Sequence, residues 1–127
     1  MKKYFLIILV LTVGLSLTGV VFAADKDAIK AQVDEIAVAI EGGKPASDFM
    51  DAAKRKPYYV YIMEESGKLL VHPSLVGESL KEKAAPAYDA VVQATMAGTW
   101  VKYQWKGKEK NANVRKTKTG VIVGSGY

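Results

Sequence analysis

The feature that most limits what this chain can fold into is the run from residue 4 to residue 22, which carries no charge and follows a positive start at Lys2 and Lys3. Small residues at Ala23 and Ala24, with Val21 two positions before Ala23, close the run. A charged start, an apolar middle and a small-residue exit are the layout of a secretory signal peptide. Residues 1–23 are therefore expected to be a signal peptide cleaved after Ala23, with Ala24 the rival site. The alternative is an uncleaved membrane anchor, since the run approaches spanning length. Either way the chain is expected to be exported to the periplasm, with residues 24–127 as one small domain having a single core. Membrane attachment would come only through the N-terminal segment.

Cysteine is absent and His72 is the only histidine. An exported domain of this kind has no disulfide support and must rely on packing. It has no thiol nucleophile, and one histidine without cysteine disfavours a zinc site. No cofactor and no metal are expected. Losing Lys2 and Lys3 lowers the formal net charge from +5 to +3. That surplus suits anions better than nucleic acid, for which no recognition motif is present.

Residues 25–41 have helical periodicity, with Ile29, Val33, Ile36, Val38 and Ile40 as the apolar stripe. Asp25 or Asp27 caps the start, and Gly42 and Gly43 stop it. Pro45 and Ser47 open a second, shorter helical segment through Ala53, ended by Pro57. "YYVYIM" then alternates, with Tyr59, Tyr61 and Met63 on one face and Tyr58, Val60 and Ile62 on the other. "EESGK" is a turn, and "KLLVH" returns as an antiparallel strand ended by Pro73. A loop with one helical turn and a helix over 86–96 follow. "TWVKYQW" alternates again, placing Val101, Tyr103 and Trp105 on one face. "KGKEK" is assigned to a hairpin turn, "NANVRKTK" to a strand, and "VIVGSGY" to a last strand. Helices followed by a late antiparallel meander predict an α+β domain.

Three stretches in order, "YYVYIMEESGKLLVHPSLVGESL", "GTWVKYQWKGKEKNANVRK" and "GVIVGSGY", resemble the single Cache domains over residues 24–127. The resemblance implies a long N-terminal helix packed on a PAS-like antiparallel β-sheet. It also implies a role in binding a small solute, often a short carboxylate, in extracytoplasmic signal transduction. By the same resemblance Tyr59 and Tyr61 line the pocket from the first strand, and His72 takes the place of the His-Pro histidine. Tyr103 and Trp105 match the paired aromatics, and Lys110 matches a ligand-facing lysine. The chain departs from the pattern at Glu64, Ser66 and Asn113, and ends at Tyr127 without the second membrane helix usual in the family.

The side chains themselves point the same way. A carboxylate needs cationic or N–H donors in a partly dry pocket. His72, Lys110 and Arg115 are the candidate donors, and Tyr59, Tyr61, Tyr103 and Trp105 are candidate walls. Of Arg115 and Lys116, which a regular strand sends to opposite faces, Arg115 is assigned to the pocket. His72 has three readings, a ligand donor, a group that holds its own turn, or, less favoured, a pH sensor. The pair Gly124 and Gly126 does not make a phosphate loop, because no helix follows. Glu64, Glu65 and Asp89 form no pair of acids, and Ser125 has no histidine near it in sequence, so no catalytic residue is assigned. The expected partners are a small anionic ligand and a membrane receptor. The competing expectation is a periplasmic interaction subunit that binds no ligand.

Overall fold

The computed structural model describes residues 23–127, and the proposed signal segment lies outside the described residues apart from Ala23. Helix α1 spans Lys26–Glu41, and Asp25 caps it by accepting a bond from the Ala28 N–H at 3.0 Å. Gly43 takes a positive φ of 110° just beyond the helix, a conformation that costs glycine little. A 3-10 segment, Ala46–Lys54, follows. Strands β1 (Val60–Glu64) and β2 (Leu69–Val71) form the first hairpin. A crossover holds the single turn α2 (Leu80–Lys83) and the short helix α3 (Ala85–Val91). Strands β3 (Thr99–Trp105), β4 (Lys108–Lys116) and β5 (Val121–Gly126) complete the chain.

The five strands form one antiparallel sheet in the order β2-β1-β5-β4-β3. The fold is α+β, with the long helix packed on one face of the sheet. The last strand sits at the centre, between β1 and β4, and is buried on both faces. This explains why "VIVGS" lacks the polar alternation of a half-exposed strand.

Each face of the sheet has its own core. On one face Val33, Ile36, Ala37 and Ile40 of α1 pack on Val60, Ile62, Val71 and Val123. On the other, Tyr61, Met63, Leu69, Val101, Val114 and Ile122 meet Leu80, Ala87 and Val91 from the crossover. The alternation in "YYVYIM" separates these two cores as its period of two requires.

One face assignment and two boundaries differ from expectation. Val38 is not part of the helix stripe and is 56% exposed, since the buried positions run 29, 33, 36, 37 and 40. The third helix stops at Val91 rather than Met96. The β-branched Val92 and Thr95 favour the helix less, and the Thr95 carbonyl instead accepts from the Lys116 N–H at 2.9 Å. The hairpin turn in "KGKEK" is only Lys106-Gly107, with φ of 51° and 77°. Two consecutive positive φ values make the tight turn that matches strand twist. The remaining residues join β4, so Lys110 stands opposite Tyr103.

Candidate ligand-binding site

The cavity lies on the sheet face away from α1. Its walls are Tyr59, Tyr61, His72, Tyr103 and Trp105, and Leu69, Leu80 and Ala87 complete it. Tyr59 and Tyr61 come from the β1 end, two residues apart and so on one face. Tyr103 and Trp105 come from β3 by the same rule. β1 and β3 are separated by two strands, yet the hydroxyls of Tyr61 and Tyr103 lie 3.3 Å apart.

Small residues on the intervening strands make that span possible. Gly124 on β5 pairs with Tyr61 and presents no side chain to the cavity. A Cβ there would overlap the Tyr61 ring, 2.6 Å from its hydroxyl oxygen. Gly126 has a different reason: a Cβ there would overlap the Asn111 carbonyl oxygen and come within 2.7 Å of the Ala112 Cα on β4. Sequence reasoning set these glycines aside as a failed phosphate motif. The signal was their spacing, since two glycines at period two inside a strand empty one face of it.

His72 is buried, 9% exposed, immediately beyond β2. Its Nδ1 accepts backbone N–H bonds from Ser74 at 3.0 Å and Leu75 at 3.1 Å. An acceptor Nδ1 means that the neutral ring carries its proton on Nε2. Burial, with Lys106 nearby, pushes its pKa down to about 4, so the ring is neutral at pH 7. The ring stands edge-on to Tyr59, with centroids 6.1 Å apart, and to Trp105, 6.0 Å apart. His72 therefore holds its turn through one nitrogen and keeps an N–H donor on the other.

Lys110 rises from β4 with its Nζ 5.5 Å from the centre of the Tyr59 ring. Burial, reinforced by Lys108, lowers its pKa. Burial likewise raises the tyrosines: Tyr59 upward, Tyr61 well upward, and Tyr103 up to about 12. All three stay protonated at neutral pH and act as hydroxyl donors or acceptors.

Arg115 is a correction. It sits on the opposite face of β4 from Ala112 and Val114, which line the cavity-side core. Its guanidinium bonds Asp34 of α1 at 3.1 Å and lies 3.8 Å from Glu41. Strand parity sends Lys116, not Arg115, to the cavity side, and Lys116 pairs with Glu65 at 3.0 Å. Asn113 shares the Arg115 side of β4 and does not face the cavity. Ser125 is likewise away from it: its hydroxyl donates to the Tyr59 carbonyl at 2.8 Å and accepts from Gln32 Nε2 at 2.8 Å.

The enclosed space is about 10 Å³, close to what one water occupies. Outside the wall formed by Tyr59, His72 and Trp105 lies an open groove of about 730 Å³. Those three side chains are therefore a partition between a filled interior and a wide vestibule. Among the described residues no group of three or more metal-ligating side chains converges. No helix among them is long and apolar enough to cross a membrane.

No family model matches the chain, and no curated protein matches it. Solved structures do. A methyl-accepting chemotaxis protein from Vibrio parahaemolyticus is 14% identical, with a TM-score of 0.50 over 80% of this chain and 88% of that one. The ligand-binding domain of the Pseudomonas fluorescens chemoreceptor CtaA in complex with L-leucine is 22% identical, with a TM-score of 0.42 over 63% of this chain and 35% of that one. The same domain with L-serine is 24% identical, with a TM-score of 0.42 over 63% and 37%. The chain thus spans little more than a third of the length of the CtaA domain. At these identities the likeness is one of fold, carried by the Vibrio protein.

Proposed function

We propose that residues 24–127 form an exported sensory domain that binds a small carboxylate at the aromatic site, without chemical turnover. The observation that carries this reading is the convergence of Tyr59, Tyr61, His72, Tyr103 and Trp105 on one cavity, with Lys110 above Tyr59. Aromatic walls exclude water and strengthen the few polar bonds inside. The donors are the tyrosine hydroxyls, the His72 Nε2–H and the Lys110 ammonium, a set suited to an anion. The N-terminal sequence supports export to the periplasm, and the fold shared with a chemotaxis protein supports signalling through a membrane receptor.

The small cavity requires Trp105 or His72 to swing outward before a solute larger than water enters. That same closure favours a second reading, a periplasmic interaction subunit whose side chains fill its own pocket. Thermal shift of the purified protein against short carboxylates, amino acids and amines separates the two. A ligand that binds only the folded state raises Tm by mass action. A shift confined to carboxylates, and reduced in Tyr61→Phe, supports the sensory reading. Silence across the panel after unfolding and refolding, which strips co-purified solute, overturns it in favour of the interaction subunit.

A further inference from the structure

The vestibule outside the partition has a chemistry of its own. Lys54, Arg55 and Lys56 border it at the end of the 3-10 segment, and Lys106 borders it from the β3–β4 turn. No aspartate or glutamate lines it. Among the described residues none of these four cations is in an ion pair, and residues 1–22 contain no acid that could supply one. Arg55 donates to a neutral group, Gln32 Oε1 at 3.2 Å, which orients it without neutralising it. Lys106 holds its Nζ 5.8 Å from the Trp105 ring centre. It does so from a left-handed φ of 51°, where asparagine or glycine is the unstrained choice.

We propose that this groove is a binding site for small solutes carrying two or more negative charges, such as polycarboxylates or phosphate esters. Three lines of argument meet here. Four cationic residues border one concavity, and a multivalent anion entering it gains charge-assisted bonds from those that reach it. The volume of about 730 Å³ lies in the range of small-molecule sites. Tyr59 and Trp105 supply a flat apolar wall against which a carbon skeleton packs. The site lies outside the aromatic cavity, whose 10 Å³ admits no such molecule. It shares only the partition with that cavity, so occupancy of the groove bears directly on Tyr59, His72 and Trp105.

The test is thermal shift and calorimetry of the purified protein with citrate, inorganic pyrophosphate and acetate, all at constant ionic strength. Citrate and pyrophosphate should bind more tightly than acetate. Lys106→Asn removes a cation and relieves the turn, so its fold is not at risk. It should weaken citrate binding about threefold, the scale of one partly exposed charge pair. The double variant Lys54→Gln/Lys56→Gln should weaken it about tenfold on the same scale. Lys44→Gln removes an equal charge elsewhere and should leave the affinity unchanged. Equal effects of all these variants, or no preference for citrate over acetate, overturn the proposal. So does cosedimentation with phosphatidylglycerol vesicles without any response to citrate or pyrophosphate, which would make the groove a membrane contact. An acetate shift lost in Tyr61→Phe but kept in Lys106→Asn reports on the aromatic site alone, so the two readings fail separately.

Discussion

The outer end of the Tyr61 ring lies against Gly124 of the neighbouring strand, in the space a Cβ would occupy. This contact lets Tyr61 extend toward Tyr103 and shapes the cavity. Gly124→Ala should push the ring off the strand, destabilise the protein by about 1–3 kcal/mol as overpacking does, and break the hydroxyl pair. Urea denaturation measures the first effect. Ligand affinity falling in step measures the second. An alanine variant of unchanged stability would mean that the ring has another resting place.

His72 separates into two functions by substitution. Asparagine places an acceptor oxygen near where Nδ1 receives the Ser74 and Leu75 N–H groups, as in an Asx turn. His72→Asn should therefore keep most of the stability and lose the Nε2–H donor, weakening carboxylate binding. His72→Ala should lose both, with a stability cost of about 1 kcal/mol for the turn bonds. If the asparagine variant binds as tightly as the native protein, the histidine is only the holder of its turn.

The same histidine makes stability depend on pH. Its folded pKa is about 4, below the ordinary value of 6.5. The unfolded chain thus binds a proton that the folded protein refuses between those values. The contribution is fully present above pH 6.5 and is lost as pH falls toward 4. Denaturation midpoints measured across pH 4–7 should show that slope, and His72→Asn should flatten it.

Arg115 ties β4 to α1. Burial disfavours the charge on Asp34, but the bonds and charges of Lys30 and Arg115 outweigh it and hold the carboxyl below its usual pKa. A depressed carboxyl contributes stability above its unfolded pKa, near 4, and that stability is lost as pH falls through the folded value. Arg115→Met should remove part of this acid sensitivity and cost about 1 kcal/mol at neutral pH. Ligand affinity should be unchanged, because Arg115 faces away from the cavity. A loss of binding without a loss of stability would contradict its placement.

Tyr103→Phe leaves the buried Tyr61 hydroxyl without its partner at 3.3 Å. A cost of about 1–3 kcal/mol is expected for such an orphaned group. In the native protein Tyr61 and Tyr103 should be the last tyrosines to ionise in an ultraviolet titration, since burial raises both.

Much of this protein was legible in its sequence because strand parity and helix periodicity are local. The alternation in "YYVYIM" and "TWVKYQW" placed Tyr59, Tyr61, Tyr103 and Trp105 on particular faces, and the structure brings those faces together. Parity also showed that Arg115 and Lys116 differ in direction, but not which of them meets the cavity. That choice depends on which face of β4 receives α1. Gly124 was equally opaque, because its reason is a ring on a strand some sixty residues earlier.

The sequence by itself determined most of the elements, their order and the alternation of faces along β1 and β3, since these follow from spacing, turn residues and caps within a few positions. Tertiary structure alone decided that β5 inserts between β1 and β4, that Tyr61 reaches Tyr103 across two strands, and that four cations share one groove. Those facts rest on contacts between residues distant in the chain, and no local spacing encodes the pairing that creates them.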